Sequence, residues 1–301
     1  MKKINVCSLC LCVLLFSSPS FGKASCEVWS DIHDEYLMLA QNGNKFAQFK
    51  MYSIANDVAC PMEEITSEYH WLVKSAENGY LFAAHELGVF HSERHSKNYN
   101  FDLALYYFNQ SSLQSFAPSL FGIGQLYLDM DNPNYIEAER FFKKAWEQGS
   151  TDAGHQIGFM SSHGIGVEVN YEKAYDWYVR ASARGNVLSM YSLALMYVRG
   201  TYVSENHKMA EKLFMDAMNL GSVQATHGLA TLYLSGNADV IDFDKGYFYL
   251  DKAASLGHQL AQKKLSFIFK GGIYDGNDVV VPKSGRLFNL LSGNEGLIDG
   301  L

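Results

Sequence analysis

Histidine supplies the first candidate chemistry in this sequence. His91-Ser92-Glu93-Arg94-His95 sets two imidazoles at i and i+4, a spacing that on a helix can share a zinc ion. His85 and Glu86 lie one or two turns back, but no third ligand is fixed beside the pair. His91 also falls in a repeated register where the chain elsewhere carries Tyr127, Tyr197 and Tyr233, so it is expected to fill an aromatic packing slot, with no metal. His85, His155 and His227 share a second register with Phe49, Phe121 and Tyr191. A row of imidazoles can sense pH; a place shared with aromatic rings favours packing.

Other reactive patterns fail on context. Gly164-Ile165-Gly166 follows a helical pattern, not a strand, and no Gly-Lys-Ser/Thr follows it, so it is no phosphate loop. There is no Gly-x-Ser-x-Gly elbow, and the one Ser-x-x-Lys, Ser20 to Lys23, sits at a processing border. The expectation is no catalytic residue and no cofactor. Aromatic residues make up 14% of the chain, and most fall in core registers, including Trp71, Trp146 and Trp177. Tyr106, Tyr175 and Tyr247 are the candidates to face a partner.

Composition narrows the class. An apolar fraction of 48% supports a substantial core, and 25 Gly against 5 Pro suits helices joined by glycine turns. A net charge of −8 gives no electrostatic reason to expect nucleic acid or an anionic membrane as partner. Residues 1–24 read as a signal peptide. Lys2 and Lys3 precede the apolar run Val6–Phe16, which is too short to span a bilayer, and small residues at Gly22 and Ala24 offer cleavage. The mature chain is expected to be periplasmic or secreted, not inserted in a membrane, and monomeric. Cys7, Cys10 and Cys12 leave with the signal. Cys26 and Cys60 remain, and in an oxidising compartment a disulfide is the default. Lipidation of Cys26 is the alternative; it would need an apolar residue where Lys23 stands.

The elements behind these residues repeat. Gly43, Gly79, Ser115, Gly149, Gly185, Gly221 and Gly257 each end an alanine-containing helical stretch, at steps of 36, 36, 34, 36, 36 and 36 residues. A fixed period of this length means a stacked array of one supersecondary unit. After each mark comes a helix, B, with a small residue at four, a bulky apolar residue at eight and usually a small residue at nine, as in Ala153, Ile157 and Gly158. A second helix, A, opens on a side-chain cap at Asn100, Asn134, Asn170, Asn206 or Asp242. Bulky pairs follow at Tyr107-Phe108, Phe141-Phe142, Trp177-Tyr178, Leu213-Phe214 and Tyr249-Leu250. Gly164, Gly200, Gly236 and Gly272 end the B helices. The expected fold is all-α, a right-handed α-solenoid of about seven antiparallel hairpins over 25–292, with a closing helix from Pro282 and a loose tail at 293–301.

Gly164, Gly166, Val167, Asn170, Tyr171, Lys173, Ala174, Trp177, Tyr178, Ala181 and Gly185 together resemble the Sel1-like repeat, a relative of the tetratricopeptide repeat. The resemblance covers about residues 27 to 292; it weakens over 59–99, which lacks the glycine turn, and at the short loop Met130–Pro133. It implies a non-enzymatic scaffold whose helix A face, on the concave side, binds a protein or peptide in the cell envelope. Some cysteine-rich secreted relatives carry a β-lactamase label, so a β-lactam or cell-wall amide hydrolase is one alternative. Those relatives place a Cys pair in many repeats, whereas this chain keeps one mature pair. A polysaccharide-binding module built on the exposed tyrosines is the other alternative.

Overall fold

A computed structural model of the chain describes residues 34–55, 68–234, 240 and 242–270. The signal segment, Cys26, Cys60, Gly236, Gly272, the expected closing helix from Pro282 and the 293–301 tail lie outside the described residues. Among those described there are fourteen α-helices and no strand. A stretch at 34–41 is α1. Next come α2 (Lys45–Ala55), α3 (Glu68–Glu77), α4 (Leu81–Ser92), α5 (Phe101–Ser112) and α6 (Ala117–Leu128). Then follow α7 (Tyr135–Glu147), α8 (Thr151–His163), α9 (Tyr171–Ala183), α10 (Val187–Arg199), α11 (His207–Asn219), α12 (Val223–Leu234), α13 (Phe243–Ser255) and α14 (Gln259–Lys270). Odd-numbered helices are A and even-numbered ones are B. The chain divides into two compact units after Pro133, at the short connection that lacks a helix-ending glycine.

The repeating residues do the jobs their chemistry suggests. At each A cap the side-chain oxygen accepts from the backbone N–H three residues on, at 2.8 to 3.2 Å. That satisfies one of the four amides a helix start leaves open. Helix B has its own caps one residue after the mark, at Asn44, Ser150, Asn186, Ser222 and His258. The marks are left-handed turns: the six glycines have φ between 75° and 97°, and Ser115 holds 57°. Ser115 therefore makes a glycine's turn with a side chain attached.

Packing follows the same registers. Phe108, Phe142, Tyr178, Phe214 and Leu250, each eight residues after its cap, are 0 to 3% exposed. The small residue of helix B lies under them. A Cβ at Gly88 would come 2.4 Å from the Phe108 ring, and one at Gly158 would come 2.7 Å from Tyr178. Mid-helix glycine costs about 1 kcal/mol against alanine, and burying an aromatic ring of this size gains about 2–3 kcal/mol. The ring decides the residue beneath it. In the second unit each helix packs on its chain neighbours, and the B helices α8, α10 and α12 also pack on one another. In the first unit α4 and α6 do the same. Successive B helices are therefore in direct contact, and the A-helix rings fill the space between each pair of helices.

Candidate functional site

Helix A also carries a row that the repeat does not hold constant. Five residues after each cap it carries Leu105, Glu139, Tyr175, Glu211 or Tyr247, and Tyr69 stands in the same relation to α4. Twelve after each mark helix B carries His91, Tyr127, Ser161, Tyr197 or Tyr233. These rows meet within hairpins. The Tyr69 hydroxyl lies 3.0 Å from His91 Nε2, the Tyr175 and Tyr197 hydroxyls are 2.9 Å apart, and the Tyr233 hydroxyl donates to Glu211.

His91 behaves as an aromatic residue. It is 6% exposed, its ring stacks on Tyr107 at 6.0 Å, and its Nδ1 lies 2.9 Å from the Asn98 carbonyl oxygen. A carbonyl requires the proton on Nδ1, so Nε2 accepts from Tyr69. Neither nitrogen is left to bind a metal with His95.

The second histidine register is a set of links between successive B helices. His85 Nδ1 is 2.8 Å from Ser119 Oγ, and His155 Nδ1 is 3.2 Å from Ser189 Oγ. Each serine takes the place of the alanine found four after the mark in most copies. The packing expectation holds, and a specific hydrogen bond is added to it. Burial, partly opposed by Asp152, depresses His155 to about 4, and burial lowers His85 as well. His227 faces Ala261 at that place and has no serine. It is fully buried, stacked on His258 at 4.3 Å, and its Nε2 is 3.2 Å from Lys264 Nζ. Its Nδ1 has no partner. Burial first, then Lys264 and His258, push it down to about 3.

The three tyrosines singled out by sequence differ in their local settings. Tyr106, six after its cap, is 54% exposed, and its hydroxyl accepts from Gln110 Nε2 at 2.6 Å. Tyr175 and Tyr247 come five after theirs. Tyr247 is half-buried against the cluster of Ala230, Leu234 and Leu250. Tyr175 lies in a different setting, among other tyrosines.

Tyr175 meets Tyr197 edge-on at 6.3 Å and Tyr202 at 5.6 Å. Its hydrogen bond to Tyr197, then burial and the neighbouring charges, push its phenol up to about 12. Tyr202 is 53% exposed and sits in the α10–α11 turn at φ 65°, a left-handed conformation that side chains other than glycine rarely adopt. Loss of solvation and the carboxylates of Glu172 and Asp176 raise its phenol too. With Tyr175 and Tyr202 neutral, the charge at the cluster comes from Glu172 and Asp176. Lys173, between them in sequence, reaches away to Glu139 at 2.9 Å. There it shares the Glu139 carboxylate with Lys143; burial works to raise that carboxyl, and the two ammonium groups outweigh it.

The preceding copy shows what Tyr202 replaces. Gly166 occupies the same turn position at φ 71°, with the Tyr135 ring laid over it. A Cβ there would stand 2.1 Å from Tyr135 Cγ. At Tyr202 the place is filled, and Tyr171, the counterpart of Tyr135, is 46% exposed. Sequence reasoning passed over Tyr202 and the links of Ser119 and Ser189 to His85 and His155. Aligning Gly166 with Tyr202 would have marked the first.

The Sel1 repeat family model matches residues 81–116, 117–150, 152–186, 187–214 and 223–258, more than half of the chain. No curated protein matches the sequence significantly. Among solved structures, a Sel1 repeat protein from Oxalobacter formigenes aligns with a TM-score of 0.62 at 19% identity, covering 71% of this chain and 89% of its own. The protective antigen c5321 of uropathogenic Escherichia coli strains, which displays an SLR fold, aligns with a TM-score of 0.65 at 23% identity. That alignment covers 87% of this chain but 56% of the antigen. At these identities the likeness is one of fold.

Proposed function

Since the chain belongs to the Sel1 repeat family, we propose that it serves as an exported, non-enzymatic adaptor that binds a protein or peptide along the faces of its A helices. One observation carries the reading. The residues that recur are consumed by capping, turning and packing, whereas the A-helix row five after the cap varies from copy to copy as Leu105, Glu139, Tyr175, Glu211 and Tyr247. Variation on a fixed frame is how repeat proteins acquire specificity, since each copy can change its outward residues without disturbing its neighbours. No helix among the described residues is long and apolar enough to cross a membrane.

Crosslinking and mass spectrometry in the native cell test this. The expected result is a specific partner in the periplasmic or secreted fraction, joined through helix A residues. Recovery of no specific partner by the wild-type chain in excess, or turnover of a chromogenic β-lactam by the purified protein, would sink the adaptor reading.

A further inference from the structure

Tyr202 is the departure from the repeat that packing does not require. The turn it occupies is made by Gly166 one copy earlier with nearly the same φ. A left-handed conformation costs a residue with a side chain on the order of 1–2 kcal/mol that glycine avoids. What the tyrosine adds is a ring at the surface beside Tyr175, with Tyr171 turned outward, over the carboxylates of Glu172 and Asp176.

Rings elsewhere on this protein already hold cations of their own. Arg180 lies 4.4 Å from the Trp177 ring centre, Arg184 3.7 Å from Trp146, Arg140 4.6 Å from Phe141 and Lys245 5.3 Å from Tyr233. Among the described residues no lysine or arginine covers Tyr171, Tyr175 or Tyr202. Neither Glu172 nor Asp176 enters an ion pair among them.

We propose that Tyr171, Tyr175 and Tyr202, with Glu172 and Asp176, seat a lysine or arginine side chain from a basic segment of the partner protein. The inference rests on the adaptor reading and names the chemistry of what it binds. Ring faces attract a cation through their quadrupole, and the two carboxylates supply the opposite charge. The Tyr171 ring on α9 and the Tyr202 ring in the α10–α11 turn are exposed, with Tyr175 half-buried beside Tyr202. The cation must therefore arrive on a larger molecule that makes further contacts; a small free cation would need an enclosed site. The net charge of −8 favours a basic segment over an acidic one.

The test uses the full mature chain and a fluorescein-labelled hexa-arginine peptide, read by anisotropy at about 0.15 M salt. Tyr202→Gly keeps every charge and gives the turn the residue it has one copy earlier. It should weaken binding about fivefold or more, while Tyr202→Phe, which keeps the ring, stays within about twofold of wild type. Glu172→Gln should weaken binding more than Glu147→Gln, which removes an equal charge from exposed surface on α7. A wild-type chain that does not bind the peptide overturns the seat. So does a Tyr202→Gly chain that binds like wild type with its fold intact by circular dichroism, or equal losses in Glu172→Gln and Glu147→Gln. In the native-cell crosslinking, a partner captured equally by wild type and Tyr202→Gly leaves the adaptor reading standing and removes the seat. No partner for either removes the adaptor reading itself.

Discussion

The connections Gly164–Asn170 and Gly200–Asn206 are two versions of one turn. Both begin on a left-handed glycine, at φ 67° and 63°, and both end on an asparagine that caps the next A helix. They differ two residues in. Gly166 leaves room for Tyr135 to lie against the backbone, whereas Tyr202 holds the same kind of φ with a side chain of its own. The first version is closed over by its own chain. The second leaves rings and carboxylates at the surface, so the turn that departs from its glycine counterpart is the one equipped to meet something else.

Exchanging the odd residue is the strongest way to break the comparison. Gly166→Tyr should destabilise by about 3 kcal/mol or more, since Tyr135 must be displaced and the turn strained at once. Urea unfolding would show it as a lowered midpoint, and a midpoint matching wild type would mean the two turns are interchangeable.

A pH series sharpens the contrast one helix earlier. His155 in the first copy and Tyr191 in the second occupy the same register. The folded chain holds His155 near 4, whereas an unfolded histidine titrates near 6.5. Between those values the unfolded chain binds more protons, so stability is full above about pH 6.5 and falls as pH drops toward 4. A depression of that size is worth up to about 3 kcal/mol. His155→Tyr, which makes the copies alike, should flatten that part of the stability curve; an unchanged slope would count against a buried neutral ring. His227, held lower still, contributes in the same direction.

The caps should not tell the copies apart. Asn170→Ala and Asn206→Ala are each expected to cost about 1 kcal/mol, and unequal losses would show that Tyr202 has altered the helix start that follows it. The smallest effect has the opposite sign. Tyr202→Gly should raise stability by up to about 1 kcal/mol, as turn strain is relieved at the loss of a half-exposed ring. A clear loss instead would make Tyr202 a packing residue.

Much of the fold was legible because repetition tests every assignment several times. One asparagine before an aromatic is a weak cap signal, whereas Asn100, Asn134, Asn170, Asn206 and Asp242 at matching places leave little choice, and all five accept the expected bond. Reading Ser115 as a stand-in for glycine worked for the same reason, since its φ is positive like the others. Of the tyrosine cluster around Tyr202, Tyr175 was the member named from sequence as a candidate. Tyr106 was grouped with it by residue type, yet a one-position difference in register turns a helical side chain by about 100°. Tyr247, in the same register as Tyr175, rests half-buried against Ala230, Leu234 and Leu250.

The sequence by itself determined the all-α repeat, its period, its caps and its left-handed turns. Each of these is a local requirement of backbone geometry that recurs at fixed spacing. Only the tertiary structure decided which exceptions matter. That His85 and His155 each find a serine on the next B helix while His227 finds none, and that Tyr202 comes to rest on Tyr175 beside Glu172, depends on residues 22 to 37 positions apart being brought within contact. Spacing along the chain shows what each copy must share. Packing between copies shows what each departure from it can reach.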